Sequence, residues 1–179
     1  MATKTLLTIE QFEQLPEREE VIYELDEGEL TSMARPRLSH NLVRDDLAYH
    51  LTGVVRAGRL GRIVVETEFR LAENTVRVPD IAFITTDQMR QIDPGQLVQG
   101  APTLAIEVVS PGDLAEDLAR KVEQYIDAGA KAVWVVYLRA REVHIFRASG
   151  VVVLRRADAV LEDPEILPGF SLPLATLFE

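Results

Sequence analysis

The sequence predicts a mixed α/β fold, in which a central mixed β-sheet is flanked by helices and preceded by an N-terminal helix and a β-hairpin. Two observations predict it. The stretch 104–137 has the strand–helix–strand order of a parallel crossover. The other apolar runs are short and separated by turns, which is typical of antiparallel additions. The length of 179 residues fits one domain, 1–179.

The first elements are predicted from capping and turn signals. Residues 8–11 read Thr-Ile-Glu-Gln, a capping box that opens a short helix through Leu15, and Pro16 ends it. Apolar runs at 21–25 and 29–33 flank an Asp-Glu-Gly turn, which predicts a hairpin.

Apolar residues at helical spacing predict a long helix from Ser39, its candidate N-cap, to the glycines at 58 and 61. Three strands are expected next, at 62–65, 69–71 and 76–84.

The second half contains the crossover. A short helix at 86–92 precedes the strand at 104–109, and Ser110–Asp113 stops that strand and offers a cap for a helix at 114–128. Gly129 is placed to follow this helix in a left-handed conformation. Strands are expected at 131–137, 141–147 and 151–155, and the apolar run 166–178 is expected to pack against the chain's own core.

Composition limits the classes of function. The net charge of −10 argues against tight nonspecific binding of nucleic acid, although eight arginines stand against five acids between Arg35 and Arg77. That excess is compatible with a local positive face or with an ordinary solvated surface. The absence of cysteine excludes disulfides and thiolate chemistry. No apolar run is long enough for a membrane span or a signal peptide, so we expect a cytoplasmic protein without a membrane partner.

Two acids interrupt apolar runs, Asp80 within 78–84 and Glu107 within 104–109. A buried carboxylate is costly unless a cation meets it. Two of them on neighbouring strands would form a site for a hard divalent cation such as Mg²⁺ or Mn²⁺. Lys121 lies on the following helix, whose side chains lean toward Glu107 and which presents Tyr125 on the same face.

Each of these residues also has a structural interpretation. Asp80 could bond backbone amides at a strand end, Glu107 could reach solvent from an edge strand, and Lys121 could pair with Asp117 on a helix surface. Each residue alone favours the structural interpretation, and their combination favours a metal site.

The order of three motifs resembles the Uma-type restriction endonuclease family, a branch of the restriction-endonuclease-like PD-(D/E)xK superfamily. The motifs are Pro79-Asp80, Glu107 followed by Ser110-Pro111, and Lys121 followed by Tyr125. The resemblance extends over nearly the whole chain, through 23–30, His40, 133–136 and 167–170.

The resemblance implies a metal-dependent phosphodiesterase with Asp80, Glu107 and the carbonyl of Val108 as metal ligands. The superfamily lysine usually stands two residues after the glutamate, where this chain has a valine, and Lys121 matches the family's position on the next helix. Three further residues are expected near the metal site, because they match positions of the family or lie on the same helix face as Lys121. These are Glu24, which completes or supports the metal shell, with His40 and Tyr125.

The leading hypothesis is therefore a Mg²⁺- or Mn²⁺-dependent endonuclease acting on DNA, in which Lys121 orients or helps deprotonate the attacking water. Symmetric dimers are common, and the protein could form a homodimer or a higher homo-oligomer. The acidic charge motivates an alternative, a catalytically silent binding or assembly protein on a nuclease-like scaffold. A hydrolase for another phosphate ester would use the same residues.

Overall fold

The computed structural model describes residues 6–16, 21–34 and 36–179. Its helices are α1 (Ile9–Glu13), α2 (Leu38–Ala57), α3 (Thr86–Met89), α4 (Ala115–Asp127) and α5 (Leu174–Leu177). Its first strands are β1 (Val21–Asp26), β2 (Glu29–Ala34), β3 (Gly61–Val65), β4 (Phe69–Ala72), β5 (Thr75–Arg77), β6 (Ile81–Thr85) and β7 (Val98–Gln99). The others are β8 (Leu104–Val109), β9 (Ala132–Tyr137), β10 (Glu142–Arg147), β11 (Val152–Arg156), β12 (Val160–Glu162) and β13 (Ser171–Pro173).

The larger sheet has six strands in the order β11-β10-β9-β8-β6-β3. Its strands β8 and β9 are parallel and are connected through α4, while the other neighbours are antiparallel. This arrangement confirms the predicted crossover and the mixed sheet.

Alternating residues of β8 face two different helices, because successive side chains of a strand point to opposite sides. Leu104 and Ile106 pack in the cluster that contains Leu47 and Leu51 of α2. Ala105 packs in the cluster that contains Val122 and Tyr125 of α4. The sheet is therefore covered by α2 on one face and by α4 on the other, and Glu107 belongs to the α4 face by the same alternation.

A second sheet has the order β2-β1-β5-β4-β7 and includes the predicted hairpin. α1 covers it with Ile9 and Phe12, which pack against Leu25 and Val76. The strands β12 and β13 form a separate pair.

The run 76–84, predicted as one strand, is two strands in different sheets, and the prediction of a continuous strand is wrong. β5 ends at Arg77 and pairs with β1 and β4, whereas β6 begins at Ile81 and pairs with β3 and β8. Pro79 stands in the gap, where its ring nitrogen has no hydrogen to donate to a strand neighbour. Asp80 therefore lies at the junction of the two sheets.

The predicted helix ends are partly confirmed. Thr8 and Gln11 form the reciprocal capping box of α1, and Gly129 follows α4 with φ of 106°. Ser39 is not an N-cap, because α2 begins one residue earlier and its N-cap is Arg37. The expected cap from Ser110–Asp113 is also wrong: the N-cap of α4 is Leu114, which makes no side-chain cap bond. Asp113 instead accepts a hydrogen bond from the Ser110 amide, within the turn that ends β8.

The C-terminal run packs against the chain's own core, as predicted. Leu167, Phe170 and Leu174 are buried in the α2-side cluster, and the Phe170 ring centre lies 5.9 Å from that of Trp134. None of the helices in the described ranges combines the length and apolarity that a bilayer crossing requires.

Candidate active site

A cleft of about 1040 Å³ is lined by residues of both sheets and by the beginnings of α2 and α4. Six of the seven predicted site residues line it: Glu24, His40, Asp80, Glu107, Val108 and Lys121. Tyr125 is fully buried behind Glu107. The fold thus brings together residues that are up to 97 positions apart in the sequence.

Asp80 is held from two directions. Its Oδ2 accepts a hydrogen bond of 2.6 Å from the Val108 amide, and its Oδ1 lies 3.3 Å from Nε2 of His40. Asp80 is therefore an acid bonded to a backbone amide, as its structural interpretation predicted. The side chain nevertheless keeps 18% of its surface exposed in the cleft.

His40 is buried under the cleft, with 5% of its surface exposed. Burial lowers its pKa, but the hydrogen bond with Asp80 and the charge of Asp80 outweigh that effect, so its pKa is raised above the usual value. The imidazole consequently acts as a partner that fixes one oxygen of Asp80.

Burial shifts the Glu107 carboxyl group toward its protonated form. Burial raises its pKa to about 8; the charge of Lys121 and the bond from Tyr125 oppose this shift, and the charges of Asp80 and Glu24 reinforce it. The Tyr125 hydroxyl donates a 2.9 Å hydrogen bond to Glu107 Oε1. Burial and the charge of Glu107 raise the pKa of Tyr125 well above its usual value, so this hydroxyl remains a donor.

Lys121 lies between two carboxyl groups. Its Nζ donates a 2.9 Å hydrogen bond to Glu24 Oε1 and lies 3.9 Å from Glu107 Oε2. Burial lowers the pKa of Lys121, but the charges of Glu107 and Glu24 outweigh it and the net shift is upward. The side chain is therefore an ammonium ion at neutral pH, and it does not pair with Asp117 as the surface interpretation predicted.

Glu24 connects three segments of the chain. With 1% of its surface exposed, it accepts a 2.9 Å hydrogen bond from the Val78 amide, the bond from Lys121, and a 3.0 Å bond from Arg77. Both of its oxygens are engaged by protein donors, and one of these donors lies two residues before Asp80. Its contacts make Glu24 a support for Lys121 and for the backbone next to Asp80.

Arg77, Asp26 and Gln124 belong to the same network, and sequence reasoning missed them. Arg77 is 3% exposed, and its guanidinium binds Glu24, Asp26 and Gln124. The signal that could have found it was the one used for Asp80, a charged residue inside an apolar run.

Two arginines of the segment 35–77 pair with acids and do not form a free positive face. Arg77 faces the acids named above, and Arg44 donates to Asp45 and Glu66. Arg35 lies outside the described residues. Among the described residues, the cleft walls carry nine carboxyl groups against four lysine and arginine side chains.

The donor set fits a hard divalent cation that keeps part of its water. Among the described residues, no three His, Cys, Asp or Glu side chains form a complete metal cage. Asp80 and Glu107, with the Val108 carbonyl, are the smaller oxygen set that Mg²⁺ takes together with waters and phosphate oxygens. Burial raises the pKa of Glu107, and a divalent ion bound beside it would favour its ionised form.

Known proteins share the fold and the family of this chain. A putative nuclease belonging to DUF820 from Anabaena variabilis has the same fold, with a TM-score of 0.85 over 96% of this chain and 97% of its own, at 21% identity. No protein with a curated description matches the chain. The profile of the Uma2 family, described as a putative restriction endonuclease, matches residues 9–175. The chain therefore belongs to the Uma2 family of restriction-endonuclease-like proteins.

Proposed function

We propose that this protein is a Mg²⁺- or Mn²⁺-dependent endonuclease that hydrolyses DNA phosphodiester bonds in the cleft. The observation that carries the proposal is the convergence of Asp80, Glu107 and Lys121 at one partly exposed position. The nuclease-like family and structural neighbour support the same class of reaction.

The side chains of Asp80 and Glu107 and the carbonyl of Val108 would hold the metal. A divalent ion bound there supplies an acidified water and stabilises the charge that develops on a phosphodiester. Glu107 has to give up its proton to become a ligand, because its pKa is raised to about 8. Metal affinity should therefore increase with pH through neutrality.

Lys121 orients the attacking water and stabilises negative charge at the phosphate. Its raised pKa keeps all three protons on Nζ at neutral pH, which makes it a hydrogen-bond donor and a poor base. Lys121 Nζ lies 3.9 Å from Oε2 of Glu107, so the ammonium is next to a proposed metal ligand.

His40, Tyr125 and Glu24 hold these groups in place. His40 fixes one oxygen of Asp80, Tyr125 fixes one oxygen of Glu107, and Glu24 receives a hydrogen bond from Lys121. Such partners of ligands and catalytic groups restrict the rotation of the side chains they contact.

One observation favours a second candidate, a binding or assembly protein without catalysis. The cleft is rich in carboxylates, and acidic walls repel a polyanion in the absence of cations. This candidate predicts no saturable metal site and no cleavage, with any association unaffected by Asp80→Ala.

Nicking of supercoiled plasmid separates the two candidates. Wild type is compared with Asp80→Ala and with Asp87→Ala, in Mg²⁺, Mn²⁺ and EDTA; Asp87 is an exposed acid that pairs with Arg90 outside the cleft. The proposal expects metal-dependent nicking by wild type and Asp87→Ala and none by Asp80→Ala. Equal cleavage by all three would assign the activity to a contaminant.

The substrate and the oligomeric state are tested separately. Cleavage of bis(p-nitrophenyl) phosphate without plasmid nicking would assign the site to another phosphate ester. Cutting both strands needs two sites, which a homodimer would supply, and sedimentation of the active protein measures its mass.

A further inference from the structure

Arg77 is a buried cation of the cleft that contacts three side chains, and the proposed reaction does not use it. Its Nη1 donates to Glu24 Oε2 at 3.0 Å, its Nη2 lies 2.7 Å from Asp26 Oδ1, and its Nε donates to Gln124 Oε1 at 2.7 Å. One planar guanidinium thus binds β1 twice and α4 once, a geometry that a lysine cannot reproduce.

The contact with Gln124 reaches the helix turn that follows Lys121. Residues three apart on a helix are neighbours on its surface. Gln124 also donates a 2.9 Å hydrogen bond from Nε2 to Asp26 Oδ1, which closes the ring of contacts between α4 and β1. Arg77 therefore connects β1 to α4 one turn beyond Lys121.

Glu24 is shared between two cations. Its Oε2 receives the bond from Arg77 and its Oε1 receives the bond from Lys121. If Arg77 were removed, a buried carboxylate would lose one of these cations and would attract the remaining one more strongly. The ammonium of Lys121 would then be drawn toward Glu24 and away from Glu107.

We propose that Arg77 is a positioning residue, whose guanidinium holds the Lys121 ammonium beside Glu107. It acts through Glu24 and Gln124, and its described hydrogen bonds and ion pairs go to Glu24, Asp26 and Gln124 rather than to the three proposed metal ligands. This inference rests on the proposed function for its catalytic consequence, but the placement of Lys121 can be measured without any activity.

The chain has three lysines, Lys4, Lys121 and Lys131, so NMR of protein labelled with ¹⁵N-lysine resolves the ammonium of interest. The Lys121 signal is assigned by its loss in Lys121→Met. In Arg77→Met we expect this signal to shift, because the ammonium moves toward Glu24. The matched control is Arg147→Met, which removes the partner of the fully buried Asp163 outside the cleft, and it should leave the signal in place.

Kinetics supply the second readout. We expect kcat of Arg77→Met to fall about 100-fold, because misplacing a catalytic group by about 1 Å has an effect of this size. KM and the Kd for Mn²⁺ should stay within about threefold of their wild-type values. Arg147→Met should keep the wild-type kcat when both variants are assayed below their measured Tm.

Four outcomes decide the proposal. An unmoved Lys121 signal in folded Arg77→Met overturns it, and so does an unchanged kcat in an active enzyme. If wild type has no nuclease activity, the proposed function fails and the NMR comparison alone decides the positioning role.

If Arg77→Met does not fold, Gln124→Leu replaces it, because this change detaches Arg77 from α4 without leaving a buried charge. It should move the same signal by a smaller amount, and an unmoved signal contradicts the proposal.

Discussion

Asp80 and Val108 are joined by a 2.6 Å hydrogen bond from the Val108 amide to the Asp80 carboxylate. This bond attaches the junction between the two sheets to β8, one residue after Glu107. The two acids of the site are therefore aligned by backbone structure as well as by side-chain packing. An arrangement fixed in this way loses little entropy when a ligand binds.

Replacing Lys121 should remove catalysis and preserve metal binding. In Lys121→Met we expect kcat to fall by about 100- to 1000-fold, the usual effect of deleting one donor that stabilises transition-state charge. The Kd for Mn²⁺ should not increase, because a competing cation has been removed. Plasmid nicking and calorimetry measure the two quantities. Lys131→Met is the matched control, and wild-type kcat in Lys121→Met would rule out the assigned role.

His40→Ala should weaken metal binding by about 10- to 100-fold, as is typical when a hydrogen-bond partner of a ligand is lost. The reason is that Asp80 would lose the group that fixes its Oδ1. His50, an exposed residue of the same helix, provides the control variant His50→Ala. Equal Mn²⁺ affinity in the two variants would show that His40 does not support Asp80.

Tyr125→Phe should move the pH dependence of metal binding. The Tyr125 hydroxyl lowers the pKa of Glu107, so its removal should raise that pKa further above about 8. A higher pKa means that metal must displace a more tightly held proton, and half-maximal Mn²⁺ binding should occur at higher pH. Calorimetry across pH 6–9 measures this midpoint, and an unchanged midpoint would contradict the bond's effect on Glu107.

Glu107 should also make the metal-free protein less stable as the pH rises. Its pKa is about 8 in the folded protein against the ordinary value of 4.5, so the folded state binds more protons between these values. The stability it contributes is fully present below about pH 4.5 and is lost as the pH rises to about 8.

In the wild type, the free energy of unfolding should decrease between pH 5 and pH 8, and in Glu107→Gln this decrease should be smaller. Urea denaturation in EDTA measures the free energy of unfolding at each pH. Glu123→Gln changes an exposed acid of α4 and should keep the wild-type slope. The same slope in both variants would mean that Glu107 titrates normally.

The central strands and the convergence of Asp80, Glu107 and Lys121 were predictable from the sequence. β8, α4 and β9 form a local unit with strong apolar patterns, and helix geometry directs Lys121 toward the end of β8. The hairpin that carries Glu24 was predictable for the same reason, since its turn residues lie between two apolar runs.

The junction at Asp80 and the role of Arg77 were not predictable in this way. Residues 76–84 are apolar enough for one strand, and only the pairing of β5 with β1 and of β6 with β8 reveals the division. Arg77 is buried because Glu24, Asp26 and Gln124 meet it from distant parts of the chain. Such contacts depend on tertiary structure, which local patterns do not encode.

The most direct test of the account is anomalous diffraction from a crystal of the wild-type protein soaked in Mn²⁺. We expect an anomalous peak bound by the carboxylates of Asp80 and Glu107 and the carbonyl of Val108, with Lys121 Nζ close to a metal-bound water. A fully soaked crystal with no peak between these residues, in a cleft otherwise unchanged, would contradict it.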